Sequence, residues 1–185
     1  MKLSTLFLNC LLALLLTISF SCKDDDESME EEQADPFTAS CCEIPHLEGC
    51  VGGANIFVPN AFTANADGFS DIFYVHGGQG VKEIVEFKIF DADGNIVYEA
   101  YNFQPNDFDF GWDGSLPDGT VVDAVYSYTV SVTNIANVTV EFEGQVCCRT
   151  GFFACVDNEQ HCVYSTQHDG NGGFEPTLPP FEECQ

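Results

Sequence analysis

The sequence predicts an all-β fold, a small antiparallel β-sandwich with disulfide-stapled flanks. Apolar and polar residues alternate over Glu83–Phe90, where Val85, Phe87 and Ile89 share one face, as in a half-buried strand. Turns rich in glycine and aspartate separate this run from several other short apolar runs, and no stretch after residue 21 has a sustained helical period. Short strands joined by such turns are typical of a sandwich.

The composition limits both the size and the partners of this fold. The chain has 185 residues, enough for one domain with flanking segments, and its 17 phenylalanines can supply a core. Thirty acidic residues against 5 basic ones give a net charge of −25. A surface of this charge repels nucleic acid, so we expect no nucleic-acid partner, and it attracts divalent cations.

The N-terminus predicts export. A short positive start at Met1-Lys2 precedes the apolar run Leu6–Phe20, which is typical of a signal peptide covering residues 1–21. A retained membrane anchor is the alternative, but the run is close to the lower length limit for a span. Two kinds of cleavage fit the residues that follow, because small side chains suit ordinary signal peptidase and a small residue before Cys22 suits lipoprotein processing.

The cysteine count favours lipid attachment at Cys22. Eight cysteines follow it and can all pair with one another, whereas Cys22 would make an odd number in an exported chain. A lipid on Cys22 would anchor the chain to a membrane. We leave the connectivity of the eight open; they are Cys41, Cys42, Cys50, Cys147, Cys148, Cys155, Cys162 and Cys184.

An acidic segment, residues 22–40, follows the predicted lipidation site. Its like charges repel one another, which predicts an extended, solvated tether. Its first residues, Lys23-Asp24-Asp25, also resemble the signal that carries Bacteroidetes lipoproteins to the outer face of the outer membrane. Residues 41–149 are then predicted to form the sandwich, preceded by its own cysteine cluster, and residues 150–185 a tail rich in Cys, Gly and Pro.

A polar loop follows the first predicted strand of the sandwich, residues 56–58. Pro59 ends that strand because proline fixes φ and has no N–H to donate. Asn65, Asp67 and Asp71 then bring side-chain oxygens together around a glycine. Such residues commonly cap their own backbone in Asx turns. The alternative is a calcium site with these three residues as ligands, completed by backbone carbonyls, waters and the side chain of Asp113.

The later part of the sandwich is predicted from the same alternation. An Asp-Gly turn at residues 91–95 joins two strands, which is a strong hairpin signal. Tyr126, Tyr128, Val130 and Val132 share one face of a later strand, and Val138, Val140 and Phe142 one face of the last. The predicted strands after the first are residues 71–76, 83–90, 96–100, 125–132 and 136–146.

No pattern in the sequence indicates catalysis, so we expect a protein that is not an enzyme. The aspartates of the turns have no apolar pocket to raise a carboxyl pKa, and exposed turn aspartate is the commoner explanation. The four histidines lack the spacing of a metal site. Aromatic side chains offer either a sugar-stacking surface or a cover for the end of the sandwich, the second being the commoner use; they are Phe103, Phe108, Phe110 and Trp112.

Four segments, in this order, resemble the gliding-motility-associated C-terminal domain of Bacteroidetes, which is also the type B sorting signal of the type IX secretion system. They are IFVPNAFTANADGFSDIF, FKIFDADGNIVYE, GWDG and PDGTVVDAVYSYTVSV, within Asn55–Arg149. The resemblance implies an immunoglobulin-like sandwich. The family loop usually reads PNAFTPNGDGxND, and here Ala64 stands at its proline, Ala66 at its glycine and Ser70 at its asparagine.

These observations together predict a surface-anchored, non-enzymatic module, a structural or adhesive lipoprotein of the Bacteroidetes outer membrane. The alternative is a type IX sorting or attachment module linked to gliding motility. Expected partners are the membrane, through the lipid on Cys22, and a cell-surface protein or polysaccharide. We expect no cofactor, with calcium as the single alternative.

Overall fold

The computed structural model of the chain describes residue 41, residues 43–151 and residues 162–178. Several predicted features lie outside the described residues, namely the signal peptide 1–21, Cys22, the tether 22–40, Cys42, Cys155 and Cys184. The described residues form eight strands: β1 (Leu47–Val51), β2 (Ala54–Val58), β3 (Ala61–Thr63), β4 (His76–Gly77), β5 (Val81–Phe90), β6 (Ile96–Phe103), β7 (Ala124–Asn134) and β8 (Thr139–Arg149). Two single turns of 3₁₀-helix are also present, Phe108–Phe110 and Ser165–Gln167.

The strands form two sheets arranged as a sandwich, which confirms the predicted fold class. The smaller sheet has the order β1-β2-β4, and the larger has the order β3-β8-β7-β5-β6. All pairs are antiparallel except one, because β3 runs parallel to β8. That exception arises at Pro59-Asn60, where the chain leaves the smaller sheet and crosses to the edge of the larger one.

The core lies between the two sheets, and it contains the β7 residues that were predicted to share one face. Tyr126, Tyr128, Val130 and Val132 are all buried; they face apolar residues of β2 in the other sheet and lie beside those of β5 in their own. Trp112 packs edge-on against Tyr126, with the ring centroids 4.7 Å apart. Burying such side chains contributes roughly 1.5–3 kcal/mol each, so this cluster is the main stabilising feature of the sandwich.

The strands β1 and β3 were not predicted, and three further details of the strand prediction were wrong. Residues 71–75 do not continue a ladder, since Phe73 makes only an isolated bridge, exchanging two 2.8 Å hydrogen bonds with Trp112. A register shift between Ile84 and Glu86 puts Ile84 in the core and leaves Val85 half-buried. Val138 lies in the turn between β7 and β8 and is exposed, because the N–H of Asn134 closes that turn on the Val138 carbonyl.

Candidate functional site

The loop after β3 is built by its own side chains. The carboxylate of Asp71 accepts hydrogen bonds from the backbone N–H of Ala66 at 2.8 Å and of Gly68 at 2.7 Å. The carboxylate of Asp67 accepts from the N–H of Phe69 at 2.9 Å and from the side-chain amide of Asn65 at 2.9 Å. Side chains of this kind replace the backbone pairing that a short loop lacks.

The three predicted calcium ligands therefore lie together and bond chiefly to the loop itself. The side-chain oxygen of Asn65 accepts from the N–H of Asp67 at 3.1 Å, which is an Asx turn. Asp113, the predicted fourth contributor, accepts instead from the N–H of Ser115 at 2.9 Å. Among the residues that the structure describes, no group of three or more His, Cys, Asp or Glu side chains is placed to hold a metal ion. The geometry matches the turn alternative, and the calcium site stays a prediction.

We expect the protein to have the same melting temperature in millimolar calcium as in chelator, at constant ionic strength. The carboxylates of Asp67 and Asp71 already accept hydrogen bonds from amides of the loop. Differential scanning calorimetry of the wild type and of Asp67→Ala makes the comparison. A calcium-dependent rise in the wild type that Asp67→Ala abolishes would contradict this expectation and establish the site, since a ligand that binds the native state raises its stability.

Two positions of this loop adopt the left-handed conformation with side chains that disfavour it. Ala66 has φ 60° and Ser70 has φ 50°. These are the positions where the family pattern has glycine and asparagine, the residues that tolerate left-handed backbone best. The loop keeps its fold here because Asp71 bonds to the N–H of Ala66 and Thr63 bonds to the Ser70 carbonyl at 2.9 Å.

Ala66→Gly is expected to stabilise the domain by about 1 kcal/mol, because it removes the left-handed strain of a Cβ-bearing residue. Urea unfolding of the two proteins measures the difference. Ala92→Gly, in a turn residue without a positive φ, is the control and should be neutral or slightly destabilising. Equal effects of the two substitutions would contradict the strain argument.

Asn60 joins three separate parts of the chain. Its side-chain amide donates to the carbonyl of Ile44, and its side-chain oxygen accepts from the N–H of Val163 at 2.7 Å. Its backbone carbonyl accepts from the N–H of Cys147 at 2.8 Å. The residue is 1% exposed, so these hydrogen bonds satisfy a buried amide. The segment before β1, the last strand and the tail thus meet at one buried side chain.

A disulfide joins Cys41 to Cys147, two of the eight cysteines predicted to pair, and it reinforces this junction. Cys162 is also disulfide-bonded. The prediction that all eight cysteines pair was wrong for Cys50, an exposed free thiol, and for Cys148, a buried one.

Strand geometry explains why Cys148 stays free. Neighbouring side chains on a strand point to opposite faces of the sheet. Cys147 therefore meets Cys41 in a small buried cluster on the outer face of the larger sheet, and Cys148 points into the core between the sheets. Cys50 cannot reach Cys148. Its neighbour Gly49 packs against Phe142, and Phe142 lies about 20 Å from Cys148 along β8, too far for a disulfide. Burial, with nearby Asp123 and Asp113, raises the pKa of the Cys148 thiol to about 12, which leaves it unreactive.

The described part of the tail packs on the outer face of the smaller sheet. His168 stacks on His76 with ring centroids 4.3 Å apart, and Phe174 lies 4.7 Å from the ring of His46. Gly172 sits so close to the carbonyl of Asn55 that a Cβ there would clash. The tail after the sandwich is therefore part of the same folded unit.

His76 is the most perturbed base of this cluster. It is fully buried, and neither ring nitrogen has a hydrogen-bond partner among the described residues. Burial, and then the neighbouring His168, lower the pKa of His76 to about 3. The ring is therefore neutral at physiological pH. No sequence pattern indicated this cluster, because its histidines are far apart in the chain.

The aromatic residues divide between core and surface. Trp112 is buried and donates its indole N–H to the carbonyl of Ser115 at 2.9 Å, and Phe103 is buried against Phe110. Phe108 is 64% exposed. Of these four residues, Trp112 and Phe103 cover the sandwich, whereas Phe108 and Phe110 face solvent. No helix within the described residues is long and apolar enough to cross a membrane.

Comparison with known proteins finds a family whose sequence pattern matches the sandwich. Residues 56–146 match the family model of the CHU_C type IX secretion signal domain, which confirms the resemblance predicted from the four segments. No curated protein matches the chain. Among solved structures, that of CopC from Methylosinus trichosporium OB3b has a TM-score of 0.35 and 15% identity, covering 57% of this chain and 94% of that one.

Proposed function

On the premise that residues 56–146 form a domain of the type IX secretion signal family, we propose that this chain is an exported, non-enzymatic protein displayed at the cell surface. The family match is the observation that carries the proposal. It favours the type IX alternative for the export route. The signal peptide, Cys22 and Lys23-Asp24-Asp25 favour the lipoprotein route, and they lie outside the described residues.

The structure supports a retained module rather than a detachable signal. The disulfide joins Cys41 to Cys147, so a backbone cut between them would leave both pieces covalently attached. The tail adds to this, because Val163 bonds to Asn60 in the interior of the fold. A domain tied in this way to the segments on both sides is suited to stay with the protein and act as its structural or adhesive part.

The arrangement of carboxylates supports a non-enzymatic role. Asp67, Asp71 and Asp113 accept hydrogen bonds from neighbouring loop atoms, as does Asp107, which accepts from the N–H of Asp109 at 3.1 Å. Asp67 and Asp113 are exposed, and Asp71 and Asp107 are only partly buried. A general acid near neutral pH needs the opposite environment, a buried site that raises the carboxyl pKa. We therefore propose a binding or structural module rather than a hydrolase.

Surface display separates the two export routes. We expect deletion of residues 55–149 to abolish surface exposure if type IX export operates, because the deletion removes the matched domain. Replacing Lys23-Asp24-Asp25 by three alanines would abolish it under the lipoprotein route. Protease treatment of whole cells, with immunoblotting of the protein, measures exposure in both variants and in Cys22→Ala.

The pattern of losses decides the assignment. Loss on domain deletion alone supports type IX sorting, and loss in the alanine variant or in Cys22→Ala supports the lipoprotein route. Cys50→Ala, which changes an exposed free thiol, is the control and should be displayed normally. If wild-type protein is absent from the surface, the proposal itself is wrong.

A further inference from the structure

The last strand has a long open edge. β3 pairs with β8 only at Cys147, Cys148 and Arg149, so within the described part of the chain residues 139–146 have a neighbouring strand on one side only. We propose that this edge binds an extended, basic segment of another protein, which adds to the larger sheet in line with β3. The inference does not depend on the export route.

The main-chain groups at this edge can be assigned from the pairing. The register between β7 and β8 runs without a shift, and the N–H of Cys147 points away from β7 to the carbonyl of Asn60 at 2.8 Å. Because successive residues of a strand alternate in direction, the N–H and C=O of Glu141, Glu143 and Gln145 point the same way. No hydrogen bond to these groups exists among the described residues. The edge offers three donor–acceptor pairs to an added strand.

The side chains at the edge select a positively charged partner. Glu141 and Glu143 are exposed, on a chain whose net charge is −25. A second copy is a poor partner, because two β8 edges paired antiparallel would bring glutamates together. The chain has 5 basic residues and none adjacent in sequence to another, so none of its own segments is basic enough. An extended segment with alternate Lys or Arg matches the charge.

A groove beside the edge gives the alternate residues of such a segment a place to bind. It has a volume of about 450 Å³, and its lining includes Leu47 as well as Glu143. The Tyr128 hydroxyl takes the place that a Cβ of Gly144 would occupy, and it is buried without a hydrogen-bond partner among the described residues. Phe142, half-buried against the core at the same edge, offers an apolar contact to the residues of an added strand that point to the other face. Residues of an added strand point alternately to the two faces. We therefore assign the partner a pattern of basic residues alternating with apolar ones.

A blocked peptide of four Lys-Val repeats is the probe, with fluorescence anisotropy of a labelled copy as the readout against the full-length protein. We expect saturable binding that Glu141→Lys and Glu143→Lys, combined, weaken by about tenfold or more. Glu143→Pro should weaken it similarly, because it removes one edge N–H that the sandwich does not use. Glu143→Lys alone should also weaken binding. Its charge-matched control is Glu99→Lys, on the opposite edge strand β6, which should bind normally.

A Lys-Val peptide methylated on alternate backbone amides keeps its charge but cannot pair as a strand, so it should not bind. This peptide tests the edge even if the Glu143→Pro variant fails to fold. A four-repeat Glu-Val peptide should not bind either. Absence of binding by the Lys-Val peptide would overturn the proposal. Binding that survives amide methylation would overturn it too, since it would show charge attraction alone. Concentration-dependent dimerisation through β8, detected by sedimentation and lost in Glu143→Pro, would assign the edge to a second copy instead.

Discussion

Replacing Cys41 and Cys147 together by alanine is expected to lower the free energy of unfolding by about 4–5 kcal/mol. The bond closes a loop with a sequence separation of 106 residues, and the entropy that a cross-link removes from the unfolded chain grows with loop length. Both residues are fully buried, so the loss of two sulfur atoms from a packed site adds to the effect. Urea unfolding under oxidising conditions measures the change.

Cys50→Ala is the matched control for this substitution, because Cys50 is an exposed free thiol. We expect it to leave the midpoint of unfolding unchanged. Reduction of the wild type should reproduce much of the loss seen in the double variant. If the double variant unfolds at the same urea concentration as the wild type, the disulfide contributes nothing to stability and the expectation is wrong.

Acidification from pH 7 to pH 5 is expected to destabilise the protein through His76. The pKa of His76 is about 3 in the folded protein, whereas an unfolded histidine has a pKa of about 6.5. Between these values the unfolded state binds a proton that the folded state does not, so stability falls as the pH falls. Each pKa unit corresponds to about 1.4 kcal/mol, which gives a loss of about 2 kcal/mol by pH 5.

His76→Phe tests this assignment, because phenylalanine keeps an aromatic ring of similar size against His168 and cannot bind a proton. The variant should lose most of the slope of stability against pH between 7 and 5, measured by urea unfolding at several pH values. His46→Gln is the control, since His46 is partly exposed beside Glu48, and it should keep the slope. The carboxylates with lowered pKa, such as Asp91 and Asp169, lose their contributions at lower pH. Equal slopes in wild type and His76→Phe would contradict the assignment.

The sequence predicted the parts of the fold that depend on local alternation. The inward face of β7 and the turn at residues 91–95 follow from neighbours in the chain, and both are present. The errors arose where the backbone departs from regular alternation, as at the shift beside Val85. β3 was not predicted, because three residues with no alternation form a strand only when the distant end of β8 pairs with them.

The functional features divide in the same way. The loop residues Asn65, Asp67 and Asp71 were predicted to lie together, since they are close in sequence, and they do. The junction at Asn60 and the stacking of His76 on His168 depend on contacts between residues far apart in the chain. Composition and spacing carry no signal for such contacts. For the same reason the free state of Cys148 could not be read from a cysteine count.

The disulfide also determines how the protein responds to mechanical force. A pull between residue 41 and any point after residue 147 passes directly through the bond between Cys41 and Cys147. The strands between these cysteines lie outside the loaded path, so tension applied this way does not stretch the sandwich. Only the chain outside the bond extends under load. A module built like this keeps the strands between residues 41 and 147 folded under tension along the chain.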